Sequence, residues 1–210
     1  SGRYSHFPLP LKDVTGRIEF DETGIRRLDL TAHKGDAVLH AIGELQDVRY
    51  LDHWRTVFDV SVTGQNLALD ADLQRALPQE GLAAWKEVRP AGSTDATVHL
   101  FRHDPTEKLA IEIDIRPRGN LTLRCAEFPY PLRNCVGRAT VAQGGVVVHD
   151  LHSHHGKFRL SASGYLRNLA SKTPDINLQI AATQMPIDAT LLAVMPKELQ
   201  TFLGDLKLTG

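Results

Sequence analysis

A pattern written twice limits what this chain can fold into more than any other feature. Phe7-Pro8-Leu9-Pro10-Leu11 returns as Phe128-Pro129-Tyr130-Pro131-Leu132, and the same offset continues without a gap. Gly16-Arg17 falls on Gly137-Arg138, Gly24 on Gly145, Asp29-Leu30 on Asp150-Leu151, and His33-Lys34-Gly35 on His154-His155-Gly156. Leu39, Ala41, Gly43 and Leu45 fall on Leu160, Ala162, Gly164 and Leu166. That is about 15 identities in about 39 positions, enough self-similarity to mark tandem units. After a small length change, Phe58-Asp59-Val60-Ser61-Val62 resembles Ile176-Asn177-Leu178-Gln179-Ile180, and Leu69-Asp70-Ala71-Asp72-Leu73 resembles Ile187-Asp188-Ala189-Thr190-Leu191. The repeat divides the chain into residues 1–127 and residues 128–210. The second unit ends where the first is just past its helical segment, so the sequence is expected to be a piece of a longer array.

Inside each unit, apolar and polar residues alternate. Leu109, Ile111, Ile113 and Ile115 share one side of a strand, with Glu112, Asp114 and Arg116 on the other. Phe158, Leu160, Ala162, Gly164 and Leu166 oppose Lys157, Arg159, Ser161 and Ser163, while Trp54, Thr56, Phe58, Val60 and Val62 oppose Arg55, Asp59 and Thr63. A period of two marks antiparallel strands with one covered face and one wet face. Turns are expected at Asp21 to Gly24, Lys34-Gly35, Arg118-Gly119-Asn120, Gln143-Gly144-Gly145 and His155-Gly156. One helical segment interrupts each unit. Asp70 is placed to N-cap Ala71 to Leu77, Pro78 ends that helix or starts another, and Leu82, Trp85 and Val88 keep helical spacing up to Pro90. In the second unit Asp188 takes the same part ahead of Leu191, Leu192 and Met195, with Leu199, Phe202 and Leu203 following. The expected fold is mainly β with short helices: a long curved antiparallel meander or an open groove made of tandem repeats. Closure into a barrel is disfavoured if the repeat continues.

Composition excludes several functions. Lys and Arg number 24 against 25 Asp and Glu, so a net charge of −1 argues against a general nucleic-acid binder. No run approaches the roughly 18 apolar residues of a membrane span, and the first residues carry no apolar signal segment. There is no CxxC, HExxH, GxGxxG or GxSxG pattern, so no catalytic residue, metal site or cofactor is expected.

The Phe-Pro-x-Pro-Leu leader, the Gly-Arg strand, the glycine-turned hairpin and Asp-x-x-Leu running to Leu77-Pro78 together resemble the AsmA-like and TamB-type proteins of Gram-negative envelopes, bacterial relatives of the bridge-like lipid-transfer proteins. The resemblance covers nearly the whole chain in both units. It implies repeating β-groove modules, a periplasmic or cell-envelope location, an inner-membrane anchor outside this sequence and further repeats of the same chain. It also implies passage of phospholipid acyl chains without catalysis. The candidate groove floor is then Ile18, Phe20, Leu39, Phe58, Val60, Val62, Ile111, Ile113, Ile115, Leu121, Leu123, Phe158, Leu160, Ile176, Leu178 and Ile180. The alternative is a structural or outer-membrane assembly module in which these residues fill an ordinary core.

Two other groups draw the eye. His149, His152, His154 and His155 cluster in sequence, but zinc sites usually need three or four ligands and the first unit does not repeat the feature, so they read as solvated imidazoles. Cys125 and Cys135 flank the second leader and lean towards the apolar face. A disulfide between them is possible in an oxidising compartment, yet Val14 stands where the first unit would need Cys135, which favours two reduced thiols. Arg17 and Arg138 recur with their glycines and read as structural contacts rather than headgroup ligands.

Overall fold

The computed structural model describes residues 2–4, 7–51, 53–77, 79–126, 130–142, 144–168, 171, 173, 175–186 and 189–194. These form one antiparallel sheet with three short helices. The first unit supplies β1 (Gly2–Tyr4), β2 (Phe7–Asp21), β3 (Gly24–Lys34), β4 (Ala37–Tyr50), β5 (His53–Ala68), α1 (Ala71–Ala76), α2 (Gln79–Val88), β6 (Ala91–Arg102), β7 (Ala110–Arg116) and β8 (Arg118–Leu123). The second supplies β9 (Leu132–Ala142), β10 (Gly145–His155), β11 (Phe158–Arg167), β12 (Asp175–Thr183) and α3 (Ala189–Val194). Neighbours in sequence are neighbours in the sheet from β1 to β7, then β9 to β12. The chain is therefore a mainly β meander. β9 pairs with β7 and β8, so the sheet runs unbroken across the unit boundary.

The repeat recurs in the backbone. Gly16 faces Leu30 and Arg17 faces Asp29, as Gly137 faces Leu151 and Arg138 faces Asp150. Leu30 faces Ala41 and Ala32 faces Leu39, as Leu151 faces Ala162 and Ser153 faces Leu160. Asp13 and Asn134, at equivalent positions, both take φ of 51° at the head of their bulges. A bulge adds one residue to a strand and re-aims those that follow, so a bulge in each copy keeps the two faces in the same phase.

Of the expected turns, the one at Arg118-Gly119-Asn120 is not a reversal. Pro117, which has no N–H to give a ladder, ends β7, and Gly119 bends the chain with φ of 99°. The strand then resumes as β8 in the same lane, between β6 and β9. In the helical segment, the Asp70 carboxylate accepts from the Leu73 N–H at 2.9 Å and starts α1, which ends at Leu77, and α2 carries Leu82, Trp85 and Val88. Asp188, Met195, Leu199, Phe202 and Leu203 lie outside the described residues, as do Pro78, Phe128 and Pro129. Among the described residues no helix is long and apolar enough to cross a membrane.

Candidate functional site

Side chains of residues directly opposite in a sheet project from the same face, so the register can be followed from strand to strand. From β2 to β12 one row reads Gly16, Leu30, Ala41, Val62, Val98, Ile113, Val141, Val146, Leu166, Ile176. Every member is apolar or glycine. With about 4.8 Å between strands, its nine steps span roughly 43 Å. Flanking rows follow suit: Ile18, Leu28, Gly43, Val60, Leu100 and Ile111 on one side, and Leu39, Gly64, Ala96, Ile115, Ala139, Val148, Gly164 and Leu178 on the other. All sixteen candidate floor residues fall on this one face.

Among the described residues, the buried clusters cover one margin of it. At the end where β5 runs into α1, Leu9, Ala37, Leu39, Leu67 and Leu73 form a buried cluster, with Leu11, Leu69, Val62 and Trp85 packed against it. At the start of the second unit Tyr130, Leu132, Cys135, Phe158, Leu160 and Leu191 do the same together with Leu121 from β8, with Leu69 again among their neighbours. Leu39, Leu121, Phe158 and Leu160 are thus protein core. The other candidates lie beyond the covered margin or on its border: Phe58, Val60, Val62, Ile111, Ile113, Ile115, Leu123 and Leu178 are half-buried, and Ile18, Phe20, Ile176 and Ile180 are exposed.

The Phe-Pro-x-Pro-Leu leader has a role that its use as a repeat marker did not reveal. Leu9 and Tyr130, the variable positions of the two copies, are both buried, and the Tyr130 ring meets Phe158 edge-on with centroids 5.8 Å apart. Lys34 is a second surprise. It is buried on the apolar face, and its ammonium donates to the Asp70 carboxylate that caps α1. This pair ties the helical cover to the end of β3. Burial alone would raise the Asp70 pKa, but the Lys34 ammonium and the Leu73 N–H outweigh it and hold the carboxyl below its ordinary value.

The opposite face is polar. Thr15, Thr31, His40, Thr63, Thr97, Asp114 and Thr140 stand in one of its rows. Asp59 hydrogen-bonds His99 at 2.8 Å and His103 at 3.0 Å, and Phe101 stacks between the two imidazoles. Those two bonds, His103 foremost, keep the Asp59 carboxyl below its usual range. Arg138 reaches Asp114 at 3.0 Å and Arg17 reaches Glu19 at 3.0 Å. His149 hydrogen-bonds Thr140 at 2.8 Å, and His152, His154 and His155 are exposed. Among the described residues no three His, Cys, Asp or Glu side chains are placed to hold a metal ion.

Both cysteines are free thiols. Cys135 is fully buried, and its Sγ–H donates to the Leu132 carbonyl at 3.2 Å. Burial pushes its pKa up to about 11 and also raises that of the half-buried Cys125, so neither is poised as a nucleophile at neutral pH.

In comparisons with known proteins, no family model, no curated protein and no solved structure matches this chain.

Proposed function

We propose that the open part of the apolar face is a trough for phospholipid acyl chains, and that the chain is a non-catalytic module of a cell-envelope lipid conduit of the AsmA-like or TamB-type kind. The observation that carries this reading is the row from Gly16 to Ile176. An ordinary sheet buries such a face under a second layer, whereas here, among the described residues, the helices cover one margin and no second layer packs over the strip that crosses ten strands. Exposing a lipid tail to water costs about 0.8 kcal/mol per CH₂, so a dry strip lowers the barrier to moving a tail through an aqueous gap. A floor of Val, Ile, Leu and Ala offers no hydrogen bond that would arrest a tail. The polar face and the strip's edges leave headgroups in water. No bond is made or broken in such a role, and a periplasmic setting with a membrane anchor elsewhere in the protein fits it.

A second reading, a β-rich structural or assembly module, draws on the two buried clusters, since these already give the sheet a core. Ile113 separates the two. It sits mid-row, between Val98 and Val141. Ile113→Asp is expected to fold with a near-normal melting temperature and to lose phospholipid that the parent protein carries through purification, measured by mass spectrometry of an organic extract. A parent protein free of lipid, with Ile113→Asp strongly destabilised, would instead make the face a closed core.

A further inference from the structure

The three most exposed large apolar side chains among the described residues are Phe20, at 79%, Leu51, at 75%, and Trp54, at 71%. All three lie at one end of the first unit, the end away from the helices. Phe20 closes β2 beside the turn to β3; Leu51 and Trp54 belong to the tip joining β4 and β5. That hairpin is longer than its neighbours: β4 pairs with β3 only as far as Gln46, and β5 pairs with β6 only from Phe58 onward. Tyr50 faces His53 at the tip, and Leu51, next after Tyr50, has φ of 51°. Glycine or asparagine is the usual choice there, since a Cβ is disfavoured at positive φ. A leucine in that place is both strained and wet. Neither the fold nor solubility accounts for it.

We infer that this end of the sheet is a membrane-docking edge, in which Leu51, Trp54 and Phe20 enter the interfacial zone of a phospholipid bilayer. Protein interfaces bury one contiguous apolar centre. Here Leu51 and Trp54 stand apart from the nearest apolar row: Phe20, Ile25, Leu45 and Phe58 face one another across three strand steps, roughly 14 Å, and Trp54 lies a further four residues towards the tip, roughly 13 Å. Asp47 and Arg49 share the face of Trp54 between that row and the tip, and Glu22, Arg55 and, in the loop after β6, Glu107 and Lys108 are exposed around it. Single amphipathic anchors among long cationic stems suit a bilayer interface, where tryptophan's ring sits at headgroup level and arginine reaches outward. Trp54 and Phe20 share the face of the row described above, so the docked edge opens the trough onto the bilayer. The docking deepens the lipid-conduit reading and rests on it for the cargo passed on. Because the edge carries both signs of charge, its binding draws on apolar insertion rather than on attraction to anionic lipid.

The protein has two tryptophans, and Trp85 packs against the buried cluster under the helices. Trp85→Phe leaves Trp54 as sole reporter. Its emission is expected to shift to the blue with phosphatidylcholine vesicles and to be quenched by lipid brominated near the headgroup, at low and high salt alike. Co-flotation of the otherwise unaltered chain with the same vesicles gives a second readout that does not depend on the reporter variant. Leu51→Asp is expected to weaken flotation at least about tenfold, the loss that goes with one leucine no longer buried. No shift and no flotation would overturn the proposal. So would flotation that needs phosphatidylglycerol and vanishes in salt, or a vesicle-free dimer that Leu51→Asp abolishes. Capture of a monomeric fluorescent fatty acid separates the two claims. Capture without flotation removes the docking edge and keeps the trough; flotation without capture keeps the edge and removes the trough.

Discussion

A Cβ added to Gly137 would lie 1.8 Å from the Asp150 carbonyl oxygen, and one added to its repeat partner Gly16 would lie 2.1 Å from the Asp29 oxygen. Both glycines also hold positive φ, 137° and 142°. Sterics and backbone strain therefore act together, and Gly137→Ala is expected to cost about 3 kcal/mol in a urea melt. Gly144→Ala is the comparison: φ is 90° there but the space is open, so only the strain remains, about 1 kcal/mol. Equal losses would show that close strand approach is not what fixes glycine at 137. Cys135 makes a pH prediction. Its pKa rises from 9.0 to about 11 because burial disfavours the thiolate. An acid whose pKa is raised by folding adds stability below its unfolded value, and that share is lost as pH climbs through the folded one. Melting temperature is therefore expected to fall between about pH 9 and pH 11, and to fall less steeply in Cys135→Ala. Identical alkaline slopes would place the effect on other groups.

At the scale of elements, α1 is held by the Lys34–Asp70 pair as much as by its own six residues, which are too few to persist alone. Asp70→Ala removes the cap and leaves a buried ammonium without that carboxylate. A broken buried pair costs about 3–5 kcal/mol, but Asp70 is itself near half exposed and screened by water, so about 2 kcal/mol is expected, with faster amide exchange over Ala71–Ala76. Since the folded Asp70 pKa is lowered, the pair's contribution is present above the ordinary carboxylate range and fades as pH drops below it. Exchange unchanged in Asp70→Ala would mean that Leu73 and Ala76, not the ion pair, seat the helix. These elements also show what was legible beforehand. Alternation placed the sixteen candidate residues on one face, because strand parity is a local property. Which of them the helices cover was not legible. Leu39 and Phe20 share that pattern, yet one is core and the other bare, and the difference comes from where α1 and the Phe-Pro-x-Pro-Leu leader land, a long-range outcome. The Arg118-Gly119-Asn120 signal misled for a related reason. It reads as a chain reversal, but the open lane between β6 and β9 keeps β8 in line with β7.

For the whole molecule, the length of the uncapped strip sets a capacity. A bilayer's hydrocarbon core is about 30 Å thick, so a single acyl chain reaches about 15 Å. The row from Gly16 to Ile176 spans roughly 43 Å, since the two units share one sheet with no gap at their boundary. On the conduit reading proposed above, a trough of that length would hold chains from more than one lipid laid end to end, in either unit or across the join. Native mass spectrometry of the chain titrated with a short-chain phospholipid is expected to show at least two successive lipid additions. Ile176→Asp at one end of the row and Ile18→Asp near the other are each expected to remove part of that capacity rather than all of it, while Ile113→Asp at the centre removes most. Saturation at a single lipid, untouched by either end variant, would confine binding to the middle strands and make the long row a feature of sheet packing alone.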